Sequence, residues 1–218
     1  MELELDKILN PNSIWDLGNA WLYKLFETYP SNQNPEEIVA KVWILGRCYA
    51  AAVERRKSDD KLTNDEFYKT KVVHAIQSVQ LDQLIAKIKS EHDEVIQIKI
   101  KLESHKILQD KLKVITGHDK RSFSSKFLHF HLPDAFYIYD TRAVNGLKLL
   151  PDNLKIKNKA LKLKLGNNNF DIAYARFFFK CAYARAKISE NLNRKISIRE
   201  FDTILLDMVN QKSARKKI

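Results

Sequence analysis

Between Ile107 and Val144 the chain reads ILQDKLKVITGHDKRSFSSKFLHFHLPDAFYIYDTRAV, and this stretch holds the residues best spaced for chemistry. Thr116-Gly117-His118-Asp119 interrupts two apolar-periodic segments and reads as a tight turn between helices, the second running from about Lys120 to His131. The first amides of such a helix have no partner inside it. With the helix dipole they make a ready phosphate site, and Lys120 and Arg121 add two cations there. Further on, Asp140 opens another helix with Arg142 just inside it. An aspartate so placed is a helix cap or, when buried close to a reacting sugar carbon, a carboxylate that stabilises developing positive charge or activates an attacking water or amine. Lys126 reads as a surface lysine, but its place between the apolar Phe123 and Phe127 puts it near a buried edge. His118, His129 and His131 have no carboxylate or cysteine completing a ligand spacing, so turn and core roles are expected and no metal.

The elements that must position these residues are helical. In 218 residues there are five glycines, five prolines and 44% hydrophobic residues, which disfavours disordered, collagen-like and Gly-rich barrel classes and indicates an all-α protein with a real core. No apolar run is long enough to span a membrane, and the start is acidic rather than leader-like, so a soluble protein of the cytoplasm is expected. Cys48 and Cys181 are too few for a disulfide framework. The 38 Lys+Arg against 27 Asp+Glu give a net charge of +11, which favours encounter with polyanions, nucleic acid above all.

Along the chain, Ile14, Leu17, Trp21, Leu22, Leu25 and Phe26 give one amphipathic helix from Ser13 to Tyr29, its apolar face expected in the core. After the SNQNPEE linker, a helix opened by Pro35 is expected to run to about Lys57, burying Ile38, Val42, Leu45, Tyr49 and Val53, with Arg55, Arg56 and Lys57 in its last turn. Thr63 and Glu66 form a capping box for a helix through Val72, Val73 and Ile76, and another helix runs from Leu81 to about Lys89. Residues 94–102 alternate apolar and polar with period two but sit among helix formers, and helix is expected. A short helix carrying Leu108, Leu112 and Val114 leads into the hairpin. Beyond it come a lysine run from Lys155 to Lys164 and a helix with Arg176, Lys180, Tyr183 and Lys187 on one side. A last helix, capped by Ser197 and Glu200, buries Phe201, Ile204, Leu205 and Met208. Approximate divisions are residues 1–106, 107–150 and 151–218 of a single all-α unit.

Residues 107–144 resemble the helix-hairpin-helix DNA glycosylase superfamily, and within it the 8-oxoguanine glycosylase and lyase branch. Gly117 matches the first glycine of that hairpin, Pro133 to Tyr139 match the extended connection, and Asp140 falls on the family's aspartate. The resemblance implies two helical subdomains flanking a cleft, duplex DNA held by its phosphate backbone, and release of a modified base with Asp140 as the essential carboxylate. It implies DNA contacts at Gly117, His118, Lys120, Arg121 and Arg142, to which the basic side chains Arg176 and Lys180 would add; no cofactor is called for. Two departures stand out. Asp119 falls near the hairpin's second glycine, and Ser122 falls where bifunctional members carry the lyase lysine, with Lys126 one turn further along the same helix face and Lys120 two residues earlier. The competing expectations are a hairpin module that binds DNA or serves as an adaptor without catalysis, in a defence system for example, and a helical regulatory subunit whose charge meets RNA or a protein.

Overall fold

The computed structural model describes residues 14–55, 57, 61–160 and 169–215, and these residues are helical with no strand among them. The elements are α1 (Ile14–Thr28), α2 (Pro35–Cys48), α3 (Asn64–Glu66), a π-helical stretch (Phe67–Val72) leading into α4 (Val73–Ser78), α5 (Leu81–Ser90), α6 (Glu94–Thr116), α7 (Arg121–His131), α8 (Thr141–Leu149), a short 3₁₀ turn (Asp152–Leu154), α9 (Ile172–Asn191) and α10 (Ile198–Arg215). The helix starts follow their chemistry. Asn34, Asp93, Asp140 and Asp171 each accept a first-turn amide, and the Thr63/Glu66 capping box forms in both directions. Ser197 and Glu200 also bond reciprocally at the start of α10, which buries Phe201, Ile204, Leu205 and Met208.

The apolar residues form two cores. One gathers α1 to α5 with Ile100, Leu108 and Leu112 of α6, Phe123, Phe127, Leu128 and Phe130 of α7, and Phe136. The other gathers Leu102, Tyr137, and the buried faces of α8, α9 and α10. The chain passes from one to the other between Phe136 and Tyr137, where an extended backbone sends successive side chains to opposite sides. The cores therefore divide inside the stretch that the sequence groups as 107–150.

Helix α6 runs through both cores, which explains its unusual pattern. In a helix, residues two apart lie about 200° around the axis from one another, so Ile100 and Leu102 face opposite ways, each into a different core. Period-two alternation, ordinarily a strand signature, here serves a helix sandwiched between two apolar masses. Its earlier members Val95 and Ile96 remain exposed, and so does Val114 near the far end.

Two local expectations are corrected. Helix α2 stops at Cys48 rather than continuing to about Lys57. Ala50 is left-handed with φ 50°, the Ala51 amide returns to the Gly46 carbonyl, and the chain folds back so closely that a Cβ on Gly46 would stand 3.0 Å from the Ala52 Cα. Arg55 and Lys57 therefore lie beyond the helix, and Arg56 is outside the described residues; so are Lys162 and Lys164 of the lysine run. In α1 only Leu22 and Phe26 of the expected stripe are fully buried, with Leu25 packed at the edge, whereas Ile14, Leu17 and Trp21 are exposed.

Helices α8 and α10 pack closest of all. A Cβ on Gly146 would meet the Leu205 carbonyl oxygen at 2.4 Å, so only glycine allows this approach. That contact sets α10 beside the N-terminus of α8, where Asp140 stands.

Candidate active site at the seam between the two cores

Helix α7 belongs to the first core and α8 to the second. Lys126 of α7 and Asp140 at the cap of α8 meet across the seam, with the lysine Nζ 3.3 Å from Asp140 Oδ2. Lys126 is 1% exposed. Its Nζ also donates to Ser122 Oγ at 2.8 Å and lies 5.4 Å from the centre of the Tyr49 ring. Side chains on a helix lean toward its N-terminus, so a lysine one turn downstream of Ser122 brings its amine back over the Ser122 turn. The amine thus stands beside the side chain of the very position where the resemblance looks for a lysine.

Asp140 uses its two oxygens differently. Oδ1 accepts the Ala143 amide at 2.9 Å as an N-cap, while Oδ2 faces Lys126. Cap and carboxylate partner are therefore one residue in two roles. Burial lowers the Lys126 pKa below that of an ordinary lysine, and the negative charges of Asp140 and Asp202 oppose that fall.

The extended connection that delivers Asp140 is pinned to α7 by two residues four apart. The Tyr139 amide donates to Ser125 Oγ at 2.9 Å. His129 donates from Nδ1 to the Phe136 carbonyl at 2.8 Å and accepts at Nε2 from the Tyr23 hydroxyl at 2.6 Å, an arrangement that suits a neutral ring. Burial agrees, lowering the His129 pKa to about 4 and raising that of Tyr23 to about 12. His131 is partly buried and donates from Nε2 to Asn32 Oδ1 at 3.1 Å, while His118 stands exposed in the turn. These histidines occupy the turn and core places expected of them.

Three residues of this site have no signature in the sequence. Asp202 of α10 is buried, and desolvation raises its pKa to about 6 even though Arg199 lies 2.7 Å away. Tyr49, expected only as core, lies over the Lys126 amine and donates to Asn19 Oδ1 at 2.6 Å. Asn19 is itself buried in α1. Nearby, a groove of about 590 Å³ is lined by Tyr23, Phe130 and Arg199 among others. A second cavity of about 400 Å³ lies against Tyr139, Val144 and α9. Neither is lined by Lys126 or Asp140 themselves.

The hairpin tip behaves differently. Gly117 ends α6 in the left-handed conformation with φ 68°, as a helix-terminating glycine should, and its Cβ side is open. Asp119, near the second-glycine position, turns back to Lys113 at 3.0 Å. Lys120 donates to the Arg55 carbonyl at 2.7 Å, away from Asp140, so of the two candidate lysines only Lys126 is brought to the carboxylate. Arg121 grips Asp171 with two bonds of 2.7 Å and lies 5.5 Å over the Tyr139 ring. Asp171 in turn caps α9 and accepts from Gln109. The expected phosphate donor is thus a brace between the hairpin and α9. Arg142 bonds Asn210 at 2.7 Å, and Arg176 and Lys180 are exposed along the rim of the smaller cavity.

No family model, no curated protein and no solved structure matches this chain. The chemistry must be read from the seam itself. Among the described residues there is no group of three His, Cys, Asp or Glu able to hold a metal ion, and no helix long and apolar enough to cross a membrane.

Proposed function

We propose that the protein is a DNA glycosylase with lyase capability, acting through Lys126 and Asp140. The observation that carries this reading is the pair itself: a buried amine held 3.3 Å from a carboxylate that also caps the next helix. A neutral lysine is a nucleophile, and burial lowers the proton affinity that otherwise keeps it inert. In the reaction, Nζ attacks C1′ of the everted nucleotide as the C1′–N bond breaks, its electron pair leaving with the base. Asp140 stabilises the positive charge that develops on the sugar and accepts a proton from the attacking nitrogen. Asp140 returns that proton to O4′ as the nitrogen lone pair expels it, and ring opening leaves a protonated imine between Lys126 and the sugar. The net charge of +11 supports a polyanionic substrate bound with strong salt dependence.

A second reading is favoured by one specific observation. Tyr49 covers the amine, and the two cavities stop short of it. In that reading the pair is a structural strut in a DNA-binding module, and no base is released.

Duplexes carrying different damaged bases, incubated with and without borohydride, separate the two. Base release with a covalent adduct that is lost in Lys126→Met supports the lyase. Release without an adduct, unaffected by Lys126→Met, assigns the attack to water and leaves Lys126 out. Tight binding with no release on any duplex of the panel supports the module.

A further inference from the structure

The cavity of about 400 Å³ beside Tyr139 has a composition that the Lys126–Asp140 reaction does not use. Tyr139 and Phe177 supply aromatic surface, packed edge to face with their centroids 5.1 Å apart. Around them stand four cations, Lys148, Lys155, Arg176 and Lys180. Lys155 is paired with Asp152, and Lys148 bonds the Asn145 side chain at 3.3 Å. Arg176 and Lys180 make no ion pair among the described residues. A concave apolar surface with unneutralised cations at its edge fits a flat ring carrying an anionic group.

Its place in the fold narrows the ligand further. Tyr139 directly precedes Asp140, and Val144 lies about one turn, about 6 Å, along α8 from Asp140, with Lys148 about one turn beyond. That step is comparable with the distance between neighbouring nucleotides of an unstacked strand. We propose that the cavity takes a second, unstacked nucleotide of the bound DNA strand, its base against Tyr139 and Phe177 and its phosphate on Lys148, Arg176 and Lys180. This rests on the DNA reading above and deepens it: the protein opens two adjacent stacking steps rather than one.

The test uses the full chain and a duplex carrying a tetrahydrofuran abasic analogue with 2-aminopurine on one side of it or the other. Unstacking brightens 2-aminopurine. Ala173 lines the cavity from an exposed position on α9, so Ala173→Trp blocks it without changing charge. The expected result is brightening on one side of the analogue, loss of that signal in Ala173→Trp, and about tenfold weaker binding, the order of one stacked base. Arg176→Ala with Lys180→Ala should weaken binding and lower the salt slope while the melting temperature stays unchanged. A dark probe on both sides, or equal brightening in Ala173→Trp, overturns the proposal. So does saturation of the cavity by free dAMP that abasic duplex cannot displace. Base release is followed in parallel on lesion duplexes. Release without plug-sensitive brightening sinks the second nucleotide and spares the glycosylase, and plug-sensitive brightening without release does the reverse.

Discussion

The hairpin tip, at the start of α7, and the seam, at its middle, treat charge in opposite ways. At the tip, Lys113, Asp119, Arg121 and Asp171 are matched into pairs, and Arg121 with Asp171 ties the hairpin to α9. At the seam, Lys126 is almost wholly removed from water and faces one carboxylate that keeps 29% of its side chain exposed. Pairing of the first kind holds elements together. A charge of the second kind is strained by its surroundings, and its protonation becomes easy to change. The same fold thus braces itself at one end of a helix and buries a lysine amine against a single partly exposed carboxylate in the middle.

The sharpest break of this contrast is Lys126→Met. If the seam is a reaction centre, base release falls by about a thousandfold or more. Stability should stay level or rise by about 1–2 kcal/mol, because a buried ion is replaced by an apolar side chain of similar length while Asp140 keeps its cap and its access to water. Urea unfolding reads the stability and single-turnover kinetics the rate. A loss of several kcal/mol instead would mean that the seam braces as the tip does.

Next in size is Arg121→Ala. The guanidinium is bonded twice to a buried aspartate that also caps a helix, so its removal should cost about 3 kcal/mol, read as a fall in the urea midpoint. The associated pH dependence has a fixed sign. Hydrogen bonds from Arg121 and from the Tyr174 amide hold the Asp171 pKa at about 2 in spite of its burial. The stability this supplies is present above the ordinary aspartate pKa of about 4 and is lost as pH falls through 2. In Arg121→Ala that acid-side loss should shrink. A variant as stable as the parent would leave the brace without energetic content.

A smaller effect concerns Asp202, whose charge supports protonation of Lys126. Removing it in Asp202→Asn should let the lysine pKa fall further, moving the rising limb of the base-release profile to lower pH. Stability changes in a separate window. With a folded pKa of about 6, above the ordinary value of about 4, Asp202 binds its proton more tightly in the native state. Native stability therefore declines as pH rises through that interval, and Asp202→Asn should flatten the decline. An unmoved rate profile would show that Asp202 does not sense the reaction centre.

How much of this is legible in the sequence depends on the distance over which each signal acts. Gly117, the caps at Thr63 and Asp140, and the α6–α7 hairpin follow from a few neighbouring residues and stand where they are expected. Lys126 is legible as an edge lysine, and its meeting with Asp140 follows from the tilt of helical side chains. Asp202 and Tyr49 were not legible, because one acid in a helix reads as surface and one tyrosine in an apolar stripe reads as core. Only the packing of α10 on α8 and of α2 on α7 gives them their roles. The bracing role of Arg121 was hidden for the same reason: nothing near it in the chain announces Asp171, fifty residues away. The end of α2 was hidden because its reversal uses Ala50 where a glycine or asparagine would have marked it.

The smallest expected effect tests whether the tip, braced as it is, also meets DNA. Asp119 is exposed, has no left-handed backbone requirement, and pairs with Lys113, which is also exposed. Pairs of that kind contribute at most about 1 kcal/mol, so Asp119→Asn should leave unfolding nearly unchanged. Its consequence for binding has the opposite sign to that of most surface substitutions. Removing one negative charge some 10 Å from a phosphate is worth roughly 0.4 kcal/mol in water, and Lys113 is freed to face the strand. Affinity for duplex should therefore rise about twofold to threefold at low salt, and the gain should fade as salt is added. Titrations at two ionic strengths measure it. Unchanged affinity at both would place the strand away from Gly117 and Lys120, leaving the tip as architecture and α9 with the seam as the DNA face.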